Sequence, residues 1–72
     1  MIEFKIAKIE TTSDISEKES NELVKRLYEL GLYPGLTITI IGRVSFGAVT
    51  IIQYGATKLA LNQQEMSCLY GH

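Results

Sequence analysis

Cysteine, proline, histidine and tryptophan are nearly missing from this 72-residue chain, with one each of the first three and none of the last. A lone cysteine, Cys68, excludes an internal disulfide, and nothing in the composition suggests an oxidising compartment. One histidine, His72, beside that one cysteine cannot supply the paired Cys/His ligands that zinc sites use. No apolar run approaches the ~20 residues that a membrane span requires. The opening Met1-Ile2-Glu3-Phe4-Lys5 lacks the basic-then-apolar layout of a signal peptide. Neither sign of charge dominates either, because seven basic and eight acidic residues give a formal net charge of −1. Duplex binders neutralise several phosphates with a basic face, whereas the lysines and arginines here are scattered. These absences read as a cytoplasmic protein with no nucleic-acid partner and no direct membrane insertion.

Apolar residues make up 46% of the chain, as in ordinary globular proteins, and the length allows one domain over residues 1–72. Ile2, Phe4 and Ile6 alternate with Glu3, Lys5 and Ala7, which predicts a strand with one buried face, with Ile9 on the other phase. The polar stretch Thr11-Thr12-Ser13-Asp14 ends it. A helix follows, started either by the capping box Ser16/Glu19 or, two residues earlier, by Asp14/Glu17. Leu23, Leu27 and Leu30 recur at helical spacing beside Val24 and predict a core-facing stripe. Lys18, Glu22, Lys25, Arg26 and Glu29 fill the solvated side, with Glu22 and Arg26 as an i, i+4 ion pair.

The end of that helix is the sharpest local signal. Gly31 suits the left-handed residue of a Schellman motif, with Leu32 as C″ and Leu27 as its apolar contact at C3. Tyr33 precedes proline and is pushed toward extended backbone. Pro34-Gly35 then meets the requirement of a type II turn. Beyond it the pattern is β. A strand runs through Leu36, Ile38 and Ile40, a hairpin connection spans Gly42 to Gly47, and a second strand carries Val49 to Gln53. A turn at Gly55 leads to a strand from Thr57 to Leu61, with Leu59 and Leu61 on one face. Asn62 caps a single helical turn through Gln63, Gln64 and Glu65, and Ser67 to Tyr70 forms the last strand. The expected fold is mainly β: a small, strongly bent barrel of about five short strands with one helix inserted after the first.

Candidates for chemistry are few. A Cys68–His72 nucleophile pair is outweighed by the reading of a small buried thiol and a frayed terminal imidazole. Glu17, Glu19 and Glu22 read as a solvated face with interleaved lysines, not as a cation site. No G-x-S-x-G elbow and no G-x-x-x-x-G-K-[ST] loop is present. The chain is therefore read as a non-enzyme without metal or cofactor. The aromatic residues Tyr28, Tyr33, Phe46, Tyr54 and Tyr70 remain. Tyr33 and Phe46 stand out because both lie in turns that a strand-built core does not easily enclose, and aromatic residues are enriched in interface hot spots.

The run from Arg26 to Ile38, Arg-Leu-Tyr-Glu-Leu-Gly-Leu-Tyr-Pro-Gly-Leu-Thr-Ile, resembles the signature of the FeoA family, ferrous iron transport protein A. The later elements Tyr54-Gly55, Leu59-Ala60-Leu61 and Gln64-Glu65-Met66 follow in that family's order, and the likeness covers roughly residues 23 to 70. Asn62 stands where the family usually has a basic residue. The resemblance implies an SH3-like barrel that assists and modulates FeoB, the membrane ferrous iron transporter, by protein–protein contact with its cytosolic portion. On this reading Leu27, Gly31, Pro34 and Gly35 set the backbone shape. Leu32, Tyr33 and Phe46 would be presented near a groove between helix end and hairpin. The alternative is a stand-alone SH3-like regulatory domain related to the C-terminal domain of iron-dependent repressors.

Overall fold

The computed structural model describes residues 1–11 and 15–72. The proposed earlier helix start at Asp14 and most of the polar stretch before it lie outside the described residues. The order of elements is β1 (Ile2–Ile9), α1 (Glu17–Glu29), β2 (Thr37–Val44), β3 (Val49–Tyr54), β4 (Thr57–Asn62), α2 (Gln63–Met66) and β5 (Leu69–Gly71). The strands form one antiparallel sheet in the order β4-β3-β2-β1-β5.

A short connection makes this sheet curl. β4 and β5 stand at its two edges, which a flat five-strand sheet would hold about 19 Å apart. The chain crosses between them through the four residues of α2 and the pair Ser67-Cys68. One helical turn advances about 6 Å and two extended residues about 7 Å. Two bulges supply the bend. In β2, Ile40 faces Ile52 and Gly42 faces Ile51, so Ile41 is the extra residue. In β1 the pairing with β5 slips between Ile6 and Lys8. That slip explains the break of phase in the sequence, because it lets Ile6 and Ile9 both enter the core.

The core consists of Ile6, Ile9, Leu27, Leu32, Ile38, Ile52, Leu61, Cys68 and Leu69. It draws on β1, α1, β2, β3, β4 and β5, so each strand contributes at least one side chain to the same cluster. Cys68 is buried, its Sγ donates to the Gln64 carbonyl at 3.4 Å, and burial pushes the thiol pKa up. Several boundaries differ from those read in the sequence. β2 continues past its bulge to Val44, so the hairpin connection begins later than Gly42. Ile2 is exposed at the start of its strand, not buried. His72 is not frayed: its backbone exchanges two hydrogen bonds with Lys5, at 2.8 and 3.2 Å.

Both helix starts follow the chemistry of their caps. The Ser16 side chain accepts from the Glu19 N–H at 3.2 Å. Asn62 accepts from the Glu65 N–H at 2.7 Å while the Glu65 carboxylate accepts from the Asn62 N–H at 2.9 Å, a complete capping box. Asn62 thus begins α2 with a side chain that caps it. The expected Glu22–Arg26 pair is not formed. Arg26 instead turns toward α2, and its Nε donates to Glu65 Oε2 at 2.9 Å. Glu65 is the reason, since its carboxylate is buried and a guanidinium is the partner that satisfies its second oxygen. Replacing Glu65 by alanine is expected to lower stability by about 1–2 kcal/mol. Glu22→Ala should change it by less than about 0.5 kcal/mol. Urea titration of the two variants checks the assignment.

Candidate functional site

The segment from Leu27 to Leu36 is a rigid corner, and its geometry follows from the backbone groups that α1 leaves unbonded. A helix ends with carbonyls that no later turn can reach. Here Leu30 is the C-cap, and its N–H still bonds to the Arg26 carbonyl at 3.0 Å. The Gly31 N–H bonds to the Tyr28 carbonyl at 2.9 Å and the Leu32 N–H to the Leu27 carbonyl at 3.1 Å. These are the two reversed bonds of a Schellman motif, with Gly31 at φ +92°. The Leu30 carbonyl accepts from the Tyr54 hydroxyl, reaching across from β3. A Cβ on Gly31 would lie 3.4 Å from that same hydroxyl oxygen, so position 31 is restricted by both φ and packing.

The type II turn locks the corner to the sheet. The Leu36 N–H bonds to the Tyr33 carbonyl at 3.1 Å, and Gly35 has φ +99°. The Gly35 N–H then donates to the Ile6 carbonyl at 2.7 Å, and Ile6 donates back to Leu36 at 2.9 Å. Helix end, turn, β1 and β3 are therefore joined by seven hydrogen bonds within ten residues of chain.

The expected contact residues separate on inspection. Leu32 has 0% exposure and belongs to the core beside Leu27. It cannot be presented to another molecule, and the Schellman contact with Leu27 is what takes it inside. Tyr33 is 51% exposed and Phe46 is fully exposed. These two do not share a groove. They flank opposite ends of the eight-residue β2, roughly 25 Å apart at about 3.3 Å per residue, against a longest molecular extent of 33 Å. Tyr28 is half-exposed and lies within the corner before Gly31, as Tyr33 lies after it. A shallow, open depression at the corner's end of the sheet is lined by Met1, Glu3, Thr37, Thr39, Gln53, Tyr54 and Gly55.

Phe46 has its own constraint. It sits at φ +58° in the hairpin, after Ser45 at φ +55°, in backbone that bulky side chains rarely adopt. The outward-facing residues behind it were not picked out from the sequence. Strand pairing places Val44 opposite Val49, and Ile51 between Gly42 and Ala60, so the hairpin half of the outer face is apolar. The other half carries the row Glu3, Thr39, Gln53 and Lys58. Period-two alternation in β3 showed two faces, but only the register tells which one is outside. Elsewhere on the surface, Lys8 pairs with Glu10 at 2.9 Å, a contact that raises the lysine pKa, and lies 5.1 Å from the centre of the Tyr70 ring.

Among the described residues, no three His, Cys, Asp or Glu side chains gather as a metal site would require. Among the same described residues, no helix is long and apolar enough to cross a membrane. What the geometry offers is a braced corner with exposed tyrosines and an apolar hairpin.

A family model described as the FeoA domain matches residues 3–71. The chain belongs to the FeoA family. Membership links this FeoA domain to ferrous iron transport. The solution NMR structure of a Pseudomonas aeruginosa protein has the same fold, with a TM-score of 0.69 at 22% identity, covering 96% of this chain and 84% of that one. A search of curated proteins finds no match. The matched range contains the corner of the FeoA domain in full, together with both edges of its sheet.

If the corner is braced as described, Gly31→Val forces a β-branched side chain to positive φ and is expected to cost about 1–2 kcal/mol. Tyr54→Phe leaves the Leu30 carbonyl without its partner, at a cost of about 1 kcal/mol. In a domain of this size each kcal/mol lowers Tm by roughly 4–8 °C, a shift that a circular dichroism melt resolves.

Proposed function

We propose that this FeoA-family chain is an accessory protein of ferrous iron uptake that binds the cytosolic portion of the membrane transporter FeoB and modulates it by protein–protein contact. The single observation that supports this reading most is the corner. It holds Tyr33 outward between two hydrogen-bonded turns, with Leu32 bonded before it and Gly35 and Leu36 bonded after it, so little conformational entropy remains to be lost on docking. A rigid, half-exposed aromatic residue is the kind of anchor that dominates interface energetics. Phe46, at the far end of β2, is a second and separate anchor, with the apolar hairpin surface behind it.

The two anchors fit one interface of ordinary size. A patch of about 800 Å² on one partner is about 30 Å across, enough to take in both ends of β2. The reading needs no chemistry from the chain itself, in keeping with a family fold that acts as an accessory. Capture of the transporter's cytosolic portion on immobilised protein tests it. Tyr33→Ala and Phe46→Ala are each expected to weaken capture by about 5- to 30-fold, as hot-spot residues do. Equal capture by wild type and both variants would remove the contact surface, and no capture by wild type would remove the partner.

A further inference from the structure

A depression of about 300 Å³ beside the β2–β3 hairpin is lined by Arg43, Gly47, Thr50, Gln63, Met66 and Ser67. Arg43 is the one charged residue in that lining. It is exposed, and it belongs to none of the ion pairs found among the described residues. No acidic residue occurs between positions 30 and 64. Glu65 follows them, but its carboxylate is turned to Arg26 of α1. Glu19 and Glu22 line a different depression, with Arg26 and Gln64. Arg43 and Gln63 thus bring N–H donors to a place where the chain supplies no carboxylate to meet them.

The hairpin tip above this depression carries backbone strain. The Gly47 N–H bonds to the Val44 carbonyl at 3.1 Å and closes a turn whose central residues, Ser45 and Phe46, both have positive φ. Such turns favour asparagine and glycine, because a left-handed backbone crowds Cβ against the next carbonyl. Phenylalanine gains nothing there within the chain, since its ring is fully exposed. Strain held at an exposed residue points to a role outside the fold. Gly47 belongs to both the turn and the lining, so the ring and the guanidinium act within one small area.

We infer that the hairpin is a knob-and-hole site for an acidic, apolar segment of a partner protein. Phe46 enters an apolar pocket on the partner, and a partner carboxylate enters the depression to meet Arg43. The inference rests on the transporter reading above and gives that contact its chemistry. A flat surface would cover one side of the protruding ring, whereas a pocket covers it all. Charge complementarity calls for a carboxylate at the guanidinium. Knob and hole at a fixed spacing suit side chains on a folded partner, which a fluid lipid surface does not offer.

Capture of the transporter's cytosolic portion reads the site. Arg43→Glu and Phe46→Asn should each weaken it at least about tenfold. Lys18→Glu, a charge reversal on the exposed side of α1, should leave it unchanged. Phe46→Asn should also raise Tm by about 4–8 °C, because asparagine tolerates positive φ. That rise separates a lost contact from a lost fold, and a fall in Tm overturns the inference. Capture of wild type and both hairpin variants alike overturns it too, and leaves the transporter reading to Tyr33. NMR titration with a peptide of alternating leucine and glutamate reads the site without the transporter. Shifts concentrated at Arg43, Phe46 and Gln63 support it even if the transporter is not captured; shifts spread evenly over the chain overturn it. Sedimentation of wild type, but not of Phe46→Asn, with phosphatidylglycerol vesicles assigns the tip to lipid and overturns it as well.

Discussion

The carbonyl groups at the end of α1 must find donors outside the helix, and the way they do so organises the rest of the molecule. Gly31 and Leu32 fold back to Tyr28 and Leu27, and the Tyr54 hydroxyl takes Leu30 from the side. Folding back carries Leu32 into the core and aims the chain at β1, where Gly35 and Leu36 join Ile6. Once β2 starts there, β1 and β3 pair on its two sides. Bulges at Ile41 and beside Ala7 then bend the sheet until one turn of helix spans its edges. A local problem of unsatisfied backbone groups is thus solved with non-local partners. That is how a chain of this size becomes rigid without an internal disulfide.

Much of this was legible in the residues. The Schellman motif follows from Leu27, Gly31 and Leu32, and the type II turn from Pro34-Gly35, because each demands a backbone conformation that few other residues supply. The Asn62 cap and the inward pair Leu59/Leu61 were readable for similar reasons. Leu32 shows where the reading went astray. The C″ position of a Schellman motif packs against C3, so Leu32 goes into the core beside Leu27 and not to the display surface. The supposed groove failed for a different reason. Tyr33 and Phe46 both lie in turns, but strand length decides how far apart turns are, and β2 outran its apparent end at Gly42.

Other features left no periodic trace. Arg26 and Glu65 are 39 positions apart, and Glu22 offered a nearer partner that satisfied helix rules equally well. Only the burial of Glu65 decides between them, and burial is a property of the assembled fold. The pairing of His72 with Lys5 is of the same kind. Functionally, the FeoA family fits a domain whose corner is set by backbone geometry and whose exposed aromatics lie around it. The corner positions Tyr33 but does not include it among the bonded side chains, so structure and the proposed contact fall to different residues.

The central claim is that the corner is part of the cooperative core. Amide hydrogen exchange of Leu32, Gly35 and Ile6, followed residue by residue by NMR, tests it most directly. These three amides should exchange only through global unfolding, with the same opening free energy as Ile38 and Ile52 in the sheet. Exchange of Leu32 and Gly35 at rates typical of surface loops, while the sheet stays protected, would contradict the account.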